Sequence, residues 1–452
     1  MQADNFSLFV MGASLALLLL LLMKFKLHPV FALLLVAIAS AIGFGFPLDT
    51  VVKTVTTGFG GTIASIGVVI ILGCTIGVIL EDTGGALVIA KTIFTRVGQK
   101  HAAVSMAMTG YLVSIPVFSD SVIIMLSPIV RSLSAQSGAP LVSLLGGLNA
   151  GVISTHTMVP PTPGPLAVAG TLGVDVGLII GLGLIPAAAY TIAGTLWCNS
   201  KFMLKRFPMV CQLPKSDKDP AGNVDLQGEG QHLPNAALAF SCLLLPVLLI
   251  CMSSFAKISL SPDTFFLPVL TFLGDPVIAL FLGVFLCLFL DPKRATRTQF
   301  MRWCDKAVES SGFIAFATGA AGSYGAVLKL SGVGAYLGEL IAGTPLPPIF
   351  VPYLVAILLS TSNGSATVSM LTGSAIILPL VPALGLHPAI AGLAICAGSS
   401  FSYHTNSSYF WAVVRTNSLP LNMGFGLVTA SSAIGSLAAF AAVCVLSLFI
   451  TP

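Results

Sequence analysis

Apolar runs long enough to cross a bilayer recur from one end of the chain to the other, and they restrict the fold more than any motif does. A helix rises about 1.5 Å per residue and needs about 20 apolar residues to traverse the hydrocarbon. On that measure the first half has predicted spans near 6–23, 28–46, 62–80, 141–168 and 174–199. The second half has them near 236–255, 265–290, 311–328, 389–414 and 422–449. Composition points the same way: of 452 residues, 56% are hydrophobic and 8% charged, with a mean hydropathy of +0.99. A water-facing surface takes about 25% charged residues, so this chain is clothed by lipid. Its sixteen acids and twenty bases form no basic stripe, which excludes nucleic acid as a partner. The first run follows Asp4 without a basic leader and is expected to be a membrane helix, not a signal peptide. The nine cysteines are scattered through apolar runs without metal-ligand spacing and read as packing residues.

Two further apolar stretches, 101–135 and 347–384, are split by polar clusters and predict re-entrant hairpins. The hydrophilic stretch 206–234 predicts a flexible linker between the halves, 1–205 and 235–452. With five crossings per half, seventeen of the twenty basic residues fall on the linker side, and only Lys53, Lys257 and Lys329 on the other. The positive-inside rule then predicts a cytoplasmic linker and two outside termini, in a cytoplasmic (inner) membrane. A shift of 248 residues superposes Gly77 on Gly325, Ser114 on Ser362, Ser121 on Ser369, and His156-Thr157 on His404-Thr405. The expected fold is therefore all-α and polytopic: about ten transmembrane helices plus two hairpins, in two inverted-topology repeats with broken helices.

Four polar interruptions sit at membrane depth in this reading. They are Ser119-Asp120-Ser121; Ser154-Thr155-His156-Thr157 running into Pro160-Pro161-Thr162-Pro163-Gly164-Pro165; Ser360 to Thr367, containing Asn363, Gly364 and Ser365; and Tyr403 to Ser408, containing His404, Thr405 and Asn406. In lipid every broken backbone group needs a partner, so the breaks are expected to converge on one wet cavity. Hydroxyls, amides and helix N-termini favour a small hydroxylated anion, although an amino acid satisfies the same donors. Asp120 differs in kind, because a carboxylate at membrane depth is costly and functional by default. It is the expected proton-coupling group. His156 and His404 suit either a structural bond or a protonation role. Arg415 suits the membrane interface or a substrate carboxylate, and Glu81 and Asp82 suit an interface. Prolines 160, 161, 163 and 165 with Gly164 cannot continue a helix and set the unwound geometry. No Walker loop, GxSxG or HExxH occurs, so neither ATP nor hydrolytic chemistry is expected.

These motifs resemble the gluconate permease (GntP) family of proton-coupled sugar-acid symporters, within the ion transporter superfamily. The family's H-x-x-x-P-P-x-P-G-P stretch is similar to His156 through Pro165, and its P-V-F-F-E hairpin to Pro116-Val117-Phe118-Ser119-Asp120. Gly364-Ser365-Ala366-Thr367-Val368, His404 through Trp411 and Glu81 through Ala86 resemble further family segments. Asp120 stands where the family usually has Glu, and Ser407 where it has Asp. The resemblance implies import of a sugar acid such as gluconate with protons, by alternating access, and usually a homodimer. It implies no cofactor and no metal. The rival readings are a sodium-coupled carboxylate or amino-acid symporter, a passive channel, and a membrane enzyme using His156, His404 and Asp120 on a metal.

Overall fold

The computed structural model describes residues 5–98, 101–210, 233–261, 264–292, 295–333, 347–405 and 407–450, and among these every regular element is a helix. The first part of the chain forms α1 (Asn5–Met23), α2 (Pro29–Gly43), α3 (Leu48–Asp82), α4 (Gly85–Val97), α5 (Ala102–Val113) and α6 (Ser119–Ser137). It continues with α7 (Leu141–Met158), α8 (Pro163–Leu172), α9 (Val176–Cys198) and α10 (Lys201–Arg206). Then come α11 (Ala236–Ser259), α12 (Leu267–Leu273), α13 (Pro276–Cys287), α14 (Arg297–Ser331) and α15 (Phe350–Asn363). The chain ends in α16 (Ala366–Ile377), α17 (Pro388–Ser399), α18 (Ser408–Thr416) and α19 (Leu421–Leu446). Most of the expected linker, 211–232, lies outside the described residues.

The expected count of ten crossings is wrong. Among the described residues six helices are long and apolar enough to cross a membrane: α1, α3, α9, α11, α14 and α19. A seventh is reached only by joining α12 to α13 across a 60° bend. That pair is also the one described place with the geometry of a broken span or re-entrant loop, so neither 101–135 nor 347–384 qualifies as a hairpin. The expected spans 28–46 and 389–414 fail because their helices end too soon, and 141–168 because its 18-residue helix carries Asn149 and Ser154 to Thr157 and is not apolar enough. Pro29–Gly43 has 15 residues and Pro388–Ser399 has 12. The 141–168 run stops at Met158, and α8 starts afresh at Pro163, the N1 position where a proline's missing N–H costs nothing. With that count and both hairpins gone, the expected pair of inverted repeats is not the fold, whatever the 248-residue matches in sequence. What remains is an all-α polytopic membrane fold.

Two 35-residue helices, α3 and α14, run through this fold side by side. Small residues let their backbones approach, as membrane helices require where apolar burial gives no net drive. A methyl group at Gly58 would lie 2.7 Å from the Gly322 carbonyl and 2.8 Å from Ala326 Cβ. Ser323 Oγ donates across the seam to the Val55 carbonyl at 2.8 Å. A second close seam joins α5 to α7, where Gly110 faces Leu148 O and Val152 N, and Gly147 and Gly151 face carbonyls of Ala103 and Ala107. Helix α7 is buried along its whole length. Outside this core, Phe31, Phe255, Phe281, Phe285 and Leu358 are exposed, the surface that a lipid solvent accepts.

Candidate functional site

Helix α3 forms the back wall of the site. Gly73 and Gly77 stand one turn apart on one face. A methyl group at Gly77 would fall on the Pro116 carbonyl, while one at Gly73 would come 3.0 Å from Pro161 Cβ and 3.2 Å from its carbonyl oxygen. One helical face therefore carries both the 114–118 connection and the 159–162 connection. Only glycine permits so close a backbone approach.

The 114–118 connection delivers the chain into α6, whose N-cap Phe118 is extended and caps no amide with its side chain. The first-turn N–H groups of α6 thus point beyond the helix end, and Asp120 sits among them. Ser119 is buried, and Asp120 and Ser121 are half-buried. Asp120 Oδ1 is inaccessible to solvent and has no hydrogen-bond partner among the described residues. Tyr403 and Tyr409 lie within Coulombic range of this carboxylate.

Past the prolines, α8 starts against α16: a methyl group at Gly164 would meet Met370 Sδ at 2.9 Å and Thr367 Cα at 3.9 Å. Helix α15 ends on Gly364, whose φ of 70° terminates it, and Ser365 then caps α16 by accepting from Val368 N at 3.3 Å. His404 Nε2 lies 3.1 Å from the Thr361 carbonyl on the last turn of α15. Contacts and chain neighbours link these segments into a ring. Asp120 is within electrostatic range of Tyr403, whose neighbour His404 touches Thr361 near the end of α15; Gly164 at the start of α8 packs on Thr367 and Met370 of α16; and Pro161 and Pro116 share one face of α3. Each of the four polar interruptions contributes residues to it.

Not every expected residue faces a solute with free donors. Thr155 Oγ1 donates to the Gly151 carbonyl at 3.3 Å, and Thr157 Oγ1 to the Ile153 carbonyl at 2.8 Å. His156 is buried, with Nδ1 unpartnered among the described residues. Thr405 is exposed, and its carbonyl accepts from Trp411 Nε1 at 2.8 Å. Asn406 lies outside the described residues, as does the side chain of Asn363. Arg415 is exposed and stacks on the Trp411 ring, 5.1 Å from its centroid. Among the described residues no group of three His, Cys, Asp or Glu side chains is placed to hold a metal ion.

Sequence reasoning missed a polar cluster behind Asp120. Tyr409 Oη donates to Asn149 Oδ1 at 3.1 Å, and Asn149 Nδ2 donates to Ser431 Oγ at 3.1 Å and to the Leu427 carbonyl at 3.3 Å. That carbonyl belongs to a π-helical stretch, Phe425–Ala430, within α19. The wider turn turns carbonyls outward, as π-bulges at functional sites often do. Trp197 Nε1 takes the Gly426 carbonyl at 2.9 Å, and Thr429 Oγ1 reaches the Tyr403 carbonyl at 2.6 Å. Tyr190, fully buried against Gly435, completes the group. One sequence signal was available: Asn149 is the only amide side chain in an 18-residue buried helix.

The model of the GntP permease family matches residues 6–449. The chain belongs to the GntP family of permeases. It is 31% identical over 437 residues to a gluconate permease of Pseudomonas aeruginosa, covering 95% of each protein. It is 30% identical over 407 residues to the Gnt-II system L-idonate transporter of Escherichia coli K12, covering 89% of this chain and 90% of that protein. In fold it resembles the crystal structure of the Alcanivorax borkumensis YdaH transporter, with a TM-score of 0.62 at 15% identity over 89% of each chain. This GntP permease is a secondary transporter in the membrane, not an enzyme.

Proposed function

We propose that this permease imports a hydroxylated monocarboxylate, gluconate or a closely related sugar acid, together with a proton held on Asp120. The observation that carries the reading is Asp120 on this ring, a half-buried residue whose Oδ1 is inaccessible to solvent and has no hydrogen-bond partner among the described residues. The names of the two relatives, one for gluconate and one for L-idonate, support the substrate class. Ser119, Ser121, Ser365, Thr367, His156 and His404 would contact the solute's hydroxyls. Thr155 and Thr157 have given their hydroxyl protons to their own helix and act there as acceptors. Asn363 and Gly364 shape the α15–α16 break, Thr405 and Asn406 belong to the His404 segment, and the prolines fix the α7–α8 break.

Charge supplies the coupling. A solute carboxylate about 5 Å from an ionised Asp120 is repelled by roughly 3 kcal/mol at an effective dielectric near 20. A proton on Asp120 removes that term, so the anion binds about two orders of magnitude better to the protonated protein. The linkage is reciprocal, and anion and proton cross together. Asp120→Asn should abolish accumulation driven by a pH gradient in proteoliposomes and keep solute exchange. Full pH-driven accumulation by Asp120→Asn would show that the proton rides elsewhere. Replacing sodium with choline should leave uptake unchanged.

The same reading sets the protein in the cytoplasmic membrane, as a homodimer, with the 206–234 linker in the cytoplasm and both termini outside. Among the described residues three long spans precede 211–232 and three follow it, a parity that supports this orientation. Lys201, Lys205 and Arg206 on the linker side support it too. A reporter active only in the cytoplasm, fused after Pro452, should be silent. An active one would mean that the bent α12–α13 pair crosses as a seventh span.

A further inference from the structure

Two cavities adjoin where the C-terminal end of α3 meets the N-terminal part of α14. The outer one, about 540 Å³, is lined by Asp82, Thr296, Gln299, Arg302, Trp303 and Lys306. Its size falls in the range of small-molecule pockets, roughly 300–1,000 Å³. The inner one, about 240 Å³, reaches Phe118 and Ser121, the residues that flank Ser119 and Asp120. Asp82 and Lys306 line both, so the two volumes share a wall from the outer rim to the start of α6.

The charge along this path is graded. In the outer chamber Arg302 and Lys306 lie four residues apart on one face of α14, and neither is ion-paired among the described residues. The one acid there, Asp82, is engaged: its Oδ2 accepts from Trp303 Nε1 at 2.9 Å and from Gln299 Nε2 at 3.0 Å. The outer chamber is therefore net positive. In the inner chamber Glu81, Asp82 and Glu309 stand against Lys306 alone, three acids to one cation, and the sign reverses before Ser121. Lys306 is the cation common to both chambers. Arg415 is exposed and stacked on Trp411, and Arg131 of α6 donates to the Thr416 carbonyl at 3.0 Å.

We propose that these chambers form an anion-docking vestibule, in which Arg302 and Lys306 hold a solute carboxylate on its way between bulk water and the Asp120 site. The inference rests on the sugar-acid reading for its solute, while the charge selectivity of the chamber stands apart from it. A carboxylate meets fixed positive charge in the outer chamber, and field focusing in a cleft raises its local concentration. Glu81, Asp82 and Glu309 then disfavour its rest beside Ser121, so the anion waits at Arg302 and Lys306 before it passes inward.

The test uses the full chain with Arg302→Gln and Lys306→Gln together, assayed in right-side-out and everted membrane vesicles. The half-saturation concentration for gluconate should rise roughly three- to tenfold in the orientation that presents the vestibule, and lose its dependence on ionic strength. In the other orientation it should stay within about twofold, with the maximal rate unchanged in both. Lys306→Arg should behave as the parent. Equal affinities in both orientations, or a preserved salt dependence, would overturn the proposal. A second readout needs no transport. In a chain whose native cysteines are serine, Thr296→Cys should react several-fold faster with an anionic thiosulfonate than with a cationic one of similar size. The double glutamine variant should lose that preference. If the preference is present but no sugar acid moves, the functional reading fails and the vestibule stands. If the parent shows no preference, the vestibule fails whatever the solute.

Discussion

A single methyl group at Gly77 should disable the site without touching any solute-facing side chain. The new Cβ would lie on the Pro116 carbonyl oxygen, 3.3 Å from the Pro116 carbonyl carbon and 3.5 Å from Val117 Cα. All three are backbone atoms, so no rotamer change relieves the clash. The connection must retreat by about 1 Å before carbon and oxygen reach ordinary contact distance. Such overpacking costs about 1–3 kcal/mol, while alanine in place of glycine inside a helix returns close to 1 kcal/mol. The net loss in stability is thus small, about 0–2 kcal/mol. The functional loss should be larger, because Pro116 is four residues from Asp120 and α6 begins at Ser119. A displacement of about 1 Å at a reacting group can cost a hundredfold, and the expected initial uptake rate of Gly77→Ala is roughly a hundredth of the parent's. Gly60 is the control: it lies on the same helix, and a methyl group there meets nothing within 4 Å. Gly60→Ala should transport normally and melt no lower than the parent. Initial rates in proteoliposomes and melting in detergent decide the matter. Should Gly77→Ala transport within twofold of Gly60→Ala, α3 is not the wall that positions Asp120.

Asn149→Leu removes the acceptor of Tyr409 Oη and the donors to Ser431 and Leu427, leaving buried polar groups unmatched. Each such group costs about 1–3 kcal/mol in water-soluble proteins and nearer 0.6 between membrane helices, so a loss of about 2 kcal/mol should appear as a lower melting midpoint. Asp82→Ala takes the acceptor from Trp303 Nε1 and Gln299 Nε2, which tie α3 to α14. Loosening at that seam should shift Trp303 fluorescence to the red, since the indole is 1% exposed in the parent; an unshifted spectrum would mean the indole is held by packing alone.

The helix breaks were easier to read in the sequence than the crossings, and the physics of the bilayer explains why. A polar gap in an apolar run is legible because lipid cannot satisfy it, and the need for a shared partner applies however many helices cross. Ser119-Asp120, the proline run after His156, Ser360 to Thr367 and the His404 segment were read as breaks on that ground, and each stands where one helix ends and the next begins. Crossings are counted by a weaker rule. A run such as 28–46 is apolar enough to read as a span, yet its helix is only Pro29–Gly43. A short helix is held at depth by its neighbours as readily as by lipid, and composition does not separate the two. In the opposite sense, α3 and α14 extend about a dozen residues or more before the predicted starts at 62 and 311, through segments rich in Thr or charge. Packing of each against the other sustains helix where hydropathy alone predicts a loop.

Tyr409, Asn149 and Tyr190 escaped for a related reason. Asn149 and Tyr190 lie in largely apolar sequence, and Tyr409 closes the His404 segment without being singled out there. The π-helical stretch that binds Asn149, Phe425–Ala430, reads as ordinary apolar helix and has no proline or polar cluster to mark it. Its exposed carbonyls are nevertheless what fix Asn149 and Trp197 in place, while Thr429 within it holds Tyr403. The rigid side of the Asp120 environment is thus built by α7, α9 and α19, and the 114–118 connection meets it from α3. A carboxylate held between one stiff polar scaffold and one short connection can change its access to water by a small movement of that connection, with no unfolding of the helices around it.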